Sequence, residues 1–247
     1  MDLKTFFSIN NKVALAFSGG VDSAYLMYAA VKYGADIKAY YVKSDFQPEF
    51  EFEDAKKLAD ELKVDMSVLY LSVLDNSDIV ANPTNRCYYC KNAIFSAIIN
   101  AAKSDGYSVL MDGTNASDDE GDRPGMKALR ELKVVSPLRE AGITKSEIRQ
   151  LSKEAGLFTW DKPAYACLAT RIKTGEALTK EKLVATENAE DFLFSLGFED
   201  FRVRMIGDSA KLQFKAEQMQ KAFEKREDIV NELRKYYSAV TMDMEAR

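Results

Sequence analysis

The sequence contains no histidine. Any general acid, general base or metal ligand must therefore be a carboxylate, cysteine, lysine, tyrosine, backbone group or water. Cysteine is scarce, at three in 247 residues. An odd count in a chain of this size makes no disulfide framework and points to chemistry rather than cross-linking. Nowhere do about 18 apolar residues run uninterrupted, which argues against a membrane-spanning helix. The opening segment MDLKTFFSINNK lacks the continuous apolar stretch of a secretory signal, so the expected location is the cytoplasm. Excess positive charge is missing too. Against 34 Lys and Arg stand 39 Asp and Glu, a net charge of −5, which gives no overall attraction to a nucleic acid although a local basic patch stays compatible with it.

What is present is the composition of an ordinary soluble globular protein, 47% hydrophobic and 30% charged. At about 150 residues per domain the length allows one to two domains. KVALAF, residues 12 to 17, reads as a buried parallel strand that breaks at Ser18-Gly19-Gly20 into a helical pattern through Tyr33. The order recurs, with a strand at Ile37 to Val42, an amphipathic helix at Glu49 to Leu62 and a strand at Asp65 to Leu71. Such alternation predicts an α/β fold, a parallel sheet with helices on both faces. Further elements are a helix at Tyr88 to Ser104, a strand at Ser108 to Asp112, a short strand at Val134 to Pro137, and a helix capped by Thr144 with Glu147 completing a capping box. Residues 115 to 125, NASDDEGDRPG, form either an active-site loop or a solvated connection. Beyond Gly156 the pattern changes to an irregular segment, a helix at Leu178 to Leu196, strands at Phe201 to Ile206 and Ala210 to Phe214, a helix from Ala216 and a strand near Ala239 to Met244. The expected organisation is a parallel-sheet domain over residues 1–170 and a small α+β domain over 171–247.

The sharpest motif is Ser18-Gly19-Gly20-Val21-Asp22-Ser23 between the first strand and first helix. Its glycines permit backbone conformations in which successive N–H groups point at an anion. The helix N-terminus adds partial positive charge and unpaired donors. The lysine of a Walker loop is missing after the second glycine. Arg202 and Arg204 alternate on one strand face, an arrangement that suits either a phosphate clamp or a solvated surface. Asp112, at a strand's C-terminal end, is either a metal- or substrate-facing carboxylate or the start of an Asx-type turn with Gly113. Cys87 and Cys90 form a CxxC pair whose open readings include a redox couple, a metal site and two small buried residues. Zinc is disfavoured, because three cysteines and no histidine fall short of four ligands.

SGGVDS resembles the PP-loop of the ATP-pyrophosphatases, which cleave ATP between the α and β phosphates. That resemblance implies ATP and Mg2+, with Asp22 near the metal and phosphates. It also implies that the strand Tyr40-Tyr41-Val42 passes beside the adenine with Ser44 just beyond. RCYYCK at 86–91, DGTN at 112–115, SPLR at 136–139 with Lys145, and PAYACLATR at 163–171 are together similar to the LarE family of sulfur transferases. Those segments span nearly the whole chain in order. The family adenylates a carboxylate of pyridinium-3,5-biscarboxylic acid mononucleotide and converts it to a thiocarboxylate for the nickel-pincer nucleotide. The resemblance implies a catalytic position for Cys167, either as a sacrificial sulfur donor or as third ligand, with Cys87 and Cys90, of a [4Fe-4S] cluster whose remaining iron takes an external sulfide. Arg171 beside it either steers an anionic substrate or sulfide or pairs with an acidic neighbour. Arg202 and Arg204 match a family strand associated with substrate phosphate, and a homo-oligomer is favoured. Two positions depart from the pattern. Met205 replaces a polar residue, and Gln213 stands where the family carries an acidic contributor to a metal site, leaving Glu187 and Glu190 as carboxylates on one helix face. The rival readings are a PP-loop tRNA thiolase, against which the acidic balance and the lack of an RNA-binding appendage stand, an ammonia-dependent ligase, which leaves the cysteines idle, and a non-catalytic nucleotide binder.

Overall fold

A computed structural model describes residues 1–118 and 124–247. Residues 119–123, the centre of the acidic stretch, lie outside the described residues. The chain divides into two compact units, Met1–Ser72 with Asn85–Lys162, and Val73–Thr84 with Pro163–Arg247.

The first unit contains α1 (Leu3–Ile9), β1 (Lys12–Ala16), α2 (Val21–Lys32), β2 (Asp36–Lys43), α3 (Glu49–Leu62), β3 (Asp65–Tyr70), α5 (Arg86–Ser104), β4 (Leu110–Met111), α6 (Pro124–Glu131), α7 (Pro137–Glu140) and α8 (Lys145–Glu154). Its four strands run parallel in the order β3-β2-β1-β4. Successive side chains of a strand face opposite ways. Val13, Leu15 and Tyr41 accordingly join a core with Phe6, Leu26 and Phe52, while Ala14, Tyr40 and Val42 join another with Phe95, Ile98 and Leu129. Both faces are covered, which explains why β1 reads as an unbroken apolar run. Each fully buried leucine or phenylalanine contributes about 1.5–3 kcal/mol. Thr144 caps α8 with the predicted capping box. The strand expected at Val134 to Pro137 is a single parallel bridge from Val135 to Met111. Pro137 has no N–H for a ladder, and with a fixed φ it begins α7 instead.

The second unit contains α4 (Ser77–Val80), α9 (Lys180–Ser195), β5 (Arg202–Ile206), β6 (Ser209–Gln213), α10 (Ala216–Glu224), α11 (Arg226–Leu233) and β7 (Val240–Met242). β5 and β6 form an antiparallel hairpin turning at Gly207, whose φ is +60°, and β7 pairs parallel to β6. Phe198, Phe201 and Phe214 pack ring to ring beneath it. The division differs from the expected one near Thr170 in two respects. It falls at residues 162/163, and residues 73–84 belong to this unit. The reason is polar. Asn82 is fully buried, its amide donates to the carbonyl of Lys173 at 2.9 Å, and Gly175 and Leu178 donate to the carbonyls of Asn82 and Val80 at 2.8 and 2.9 Å. Among the described residues no helix is long and apolar enough to cross a membrane.

Candidate active site

In the order β3-β2-β1-β4 the direction of winding reverses between β1 and β4. Open parallel sheets bind ligands in the crevice beyond the strand ends at such a reversal. The loops leaving these two strands are SGGVDS and DGTN. Gly19 has a φ of +75°, and a Cβ there would sit 3.2 Å from both the Glu51 carbonyl and Ala55. Glycine thus satisfies the turn and the close approach of α3 together. Among the described residues no side chain caps α2 at Gly20, which leaves the first-turn N–H groups of the helix open to an anion. Ser18 and Ser23 bond to each other through their hydroxyls at 3.1 Å, and Ser23 donates to the Gly20 carbonyl at 3.1 Å, which fixes the loop's shape. Val21 is buried and anchors the first turn of α2 in the core.

DGTN comes against this loop because residue 113 has no side chain. A Cβ on Gly113 would meet the Ser23 nitrogen at 2.8 Å and its Cα at 3.1 Å. Asp112 is buried and its carboxylate is engaged, by the hydroxyls of Thr114 at 2.6 Å and Ser136 at 2.7 Å and by the Thr114 amide at 3.3 Å. The Thr114 amide closes an Asx-type turn onto it.

Asp22 is different. Its Oδ2 accepts from the Lys145 ammonium at 2.6 Å, while its Oδ1 is buried with no hydrogen-bond partner among the described residues. Burial pushes this carboxyl above the usual range, Lys145 pulls it back and nearby Asp118 pushes it up again. A bare buried carboxylate oxygen beside an anion cradle is the donor that Mg2+ requires, and Asp22 fits that role. Lys91, on α5, is a cation that the sequence reading missed. Burial pushes its ammonium below its ordinary value, against the opposing charges of Asp112, Cys87 and Asp118. Among the described residues no carboxylate forms an ion pair with it. Its only early signal was its place directly after the CxxC pair.

Tyr41 and Ser44 lie where β2 ends. Tyr41 is buried against Phe52 with ring centres 5.2 Å apart, and its hydroxyl has no partner among the described residues. Ser44 is also buried, its hydroxyl donating to Gln47 at 2.6 Å, so it closes a turn.

The cysteines are divided between the units. Cys87 and Cys90 stand one turn apart at the start of α5, Cys87 exposed and Cys90 half-buried. Cys167, also half-buried, precedes the 3-10 turn Leu168–Arg171 in the second unit. None is in a disulfide. Among the described residues no three Cys, Asp or Glu side chains are gathered into a group that holds a metal ion.

Arginines hold the segment around Cys167 by its carbonyls. Arg202 donates to Ala164 at 2.8 Å, Arg171 to Ala166 at 3.2 Å and Arg204 to Thr170 at 2.9 Å. Arg171 is 1% exposed and grips Glu190 with two bonds, at 2.7 and 3.0 Å. Its guanidinium therefore orders the Cys167 segment from within, through a pairing with an acidic neighbour. Glu190 also accepts from the Tyr165 hydroxyl at 2.5 Å and the Val203 amide at 2.9 Å. It is a buried tie rather than a metal-facing or solvated carboxylate. Arg202 is buried, and desolvation pushes its guanidinium down to about 10. Arg204 is exposed, with a bond to Gln213 at 2.6 Å. Gln213 in turn donates to Asp243 at 2.9 Å, so at this departure from the family pattern an amide links a cation to a carboxylate.

A parallel sheet that sets an uncapped glycine turn and a half-satisfied aspartate at its winding reversal belongs to the PP-loop class of ATP-using enzymes. Sequence comparison narrows the class. Residues 12–82 match the family profile of Queuosine biosynthesis protein QueC. Over 204 residues the chain is 33% identical to the pyridinium-3,5-bisthiocarboxylic acid mononucleotide synthase of Lactiplantibacillus plantarum, covering 82% of this chain and 74% of that protein. It is 36% identical over 223 residues to uncharacterized protein slr1717 of Synechocystis, 89% of this chain and 82% of the relative. With uncharacterized protein MJ0830 of Methanocaldococcus jannaschii it shares 27% identity over 237 residues, 96% of this chain and 90% of the relative. The chain belongs to the LarE family of ATP-dependent sulfurtransferases.

Proposed function

We propose that this enzyme activates a carboxylate of pyridinium-3,5-biscarboxylic acid mononucleotide with ATP and replaces the AMP by sulfur, in the biosynthesis of the nickel-pincer nucleotide. The observation that carries the reading is the uncapped α2 N-terminus beside the bare Oδ1 of Asp22, in a chain one third identical to a synthase of the bisthiocarboxylic product. A substrate carboxylate oxygen attacks the α-phosphorus and the bond to the β-phosphate breaks. The loop Ser18 to Ser23 retains the pyrophosphate, and Asp22 holds Mg2+. Lys91 faces the developing anionic charge. A sulfur nucleophile then attacks the acyl carbon, and AMP leaves with the electron pair of the broken C–O bond.

Cys87, Cys90 and Cys167 are the residues that would hold a [4Fe-4S] cluster. Such a group supplies one iron without a protein thiolate, open to an exogenous sulfide or a sulfur donor. Support comes from the ligand count and from the one-turn spacing of Cys87 and Cys90, which suits two ligands from one helix. Arg204, exposed and bonded to the Thr170 carbonyl, is the substrate-phosphate contact, and Arg202 holds the same segment at the Ala164 carbonyl. The first unit is the nucleotide domain, and the second serves substrate binding and assembly into a homo-oligomer in the cytoplasm.

Two measurements test the proposal. Pyrophosphate release should require ATP and the pyridinium mononucleotide, and tRNA should not replace the latter. Protein prepared without oxygen should hold about four iron and four acid-labile sulfide per chain. Stimulation by tRNA instead would overturn the substrate. Neither element above background would overturn the cluster and leave Cys167 as a sacrificial donor, visible as dehydroalanine after turnover.

A further inference from the structure

Lys145 occupies an unfavourable position for a cation. It is the first residue of α8, where the partial positive charge of the helix end repels an ammonium. Its backbone is fixed regardless, by the Thr144 capping box and by its amide, which donates to the Ser117 hydroxyl at 2.9 Å. The side chain is 35% exposed, and among the described residues its one bonded acceptor is Asp22 Oδ2. An ammonium has three donors, so its hold on Asp22 is a single contact on a flexible stem. The neighbouring Arg149 is not free to exchange, because it donates to the carbonyls of Trp160 at 2.7 Å and Lys162 at 2.8 Å. Without Lys145, Asp22 would face Asp118 with no compensating mobile charge.

The geometry points to Lys145 as a stand-in cation that holds Asp22 while no nucleotide is bound, yields that carboxylate to Mg2+ when ATP arrives, and moves onto a phosphate oxygen. The inference rests on the PP-loop reading of the site and adds an exchanging residue to it. Lys145 is then a competitor of the metal in the empty enzyme and a phosphate ligand in the loaded one. Metal and nucleotide bind cooperatively as a result, because each removes an obstacle to the other.

Mn2+, read by electron paramagnetic resonance, tests the exchange on the full-length protein with and without the α,β-methylene analogue of ATP. In Lys145→Met, Mn2+ binding without nucleotide should tighten about tenfold, while affinity for the analogue falls about tenfold. Those opposite shifts distinguish exchange from a structural role, which would weaken both. Lys145→Gln carries the same expectation and guards against a misfolded methionine variant. Lys145→Arg should keep the analogue bound and Mn2+ excluded. Unchanged or weaker Mn2+ binding in both neutral variants overturns the inference alone. Failure of the wild-type protein to bind Mn2+ even with the analogue overturns the PP-loop reading and the inference together.

Discussion

Two carboxylates, one in each unit, are treated in opposite ways, Glu190 fully buried and Asp22 half-buried. Glu190 is saturated. It takes two bonds from Arg171, one from Tyr165 and one from the Val203 amide. Asp22 has one oxygen on Lys145 and the other bare. A buried acceptor left without a partner is costly, and such costs persist where a ligand later repays them. The contrast separates an acid that organises a segment from one that waits for a cation, although both are simply acidic residues on helices in the sequence.

Breaking the saturated carboxylate should have the largest effect. Glu190→Ala strands the Arg171 charge inside the second unit and should cost about 3–5 kcal/mol, read as a lower urea midpoint. A loss under 1 kcal/mol would show that the pair is not the tie described. Asp22→Asn should do the reverse. Several kcal/mol of charge stabilisation from the metal are lost, so pyrophosphate release should drop on the order of a hundredfold or more while the urea midpoint holds or rises. If instead stability fell and activity remained, the contrast between the two acids would be inverted. Gly113→Ala sharpens the comparison by moving the wall beside Asp22. Its Cβ needs space now held by Ser23 backbone atoms, an overpacking cost of about 1–3 kcal/mol that should accompany weaker nucleotide binding in a calorimetric titration.

Glu51 is the intermediate case, buried with one oxygen on Lys162 at 3.0 Å. Burial pushes its carboxyl up from 4.5, and Lys162 pulls it partly back. The folded form therefore binds the proton more tightly than the unfolded chain does. Its contribution to stability is full below the unfolded value and is lost as pH rises through the folded one. The difference in urea midpoint between wild type and Glu51→Gln should move against the wild type as pH rises from about 4.5 towards neutrality. A difference that does not change with pH would show that Glu51 is not the titrating group.

Local signals carried much of this. The glycine turn, the capping box at Thr144 and the helix Glu49–Leu62 were legible because each is set by residues close together in the chain. Long-range pairings were not. Nothing in the sequence joins Arg171 to Glu190, Lys145 to Asp22, or residues 73–84 to the second unit, since those contacts depend on how elements pack. Gly113 looked like an ordinary turn glycine until Ser23 was found against it. One overlooked signal was available at Lys145, a cation in a first helical turn, where its charge is misplaced unless something nearby requires it.

The placement of residues 73–84 has a consequence for how the protein is made. The amide of Asn82 meets a carbonyl 91 residues later in the chain. At about 5–20 residues per second on the ribosome, that segment emerges roughly 5–20 s before its partner exists. The first unit must then close its sheet around an unfinished excursion, which for that interval depends on chaperones or on its own polarity to avoid capture elsewhere. A truncation at the end of the first unit would leave the excursion permanently without its partner. The two units are thus interleaved in the order of their synthesis.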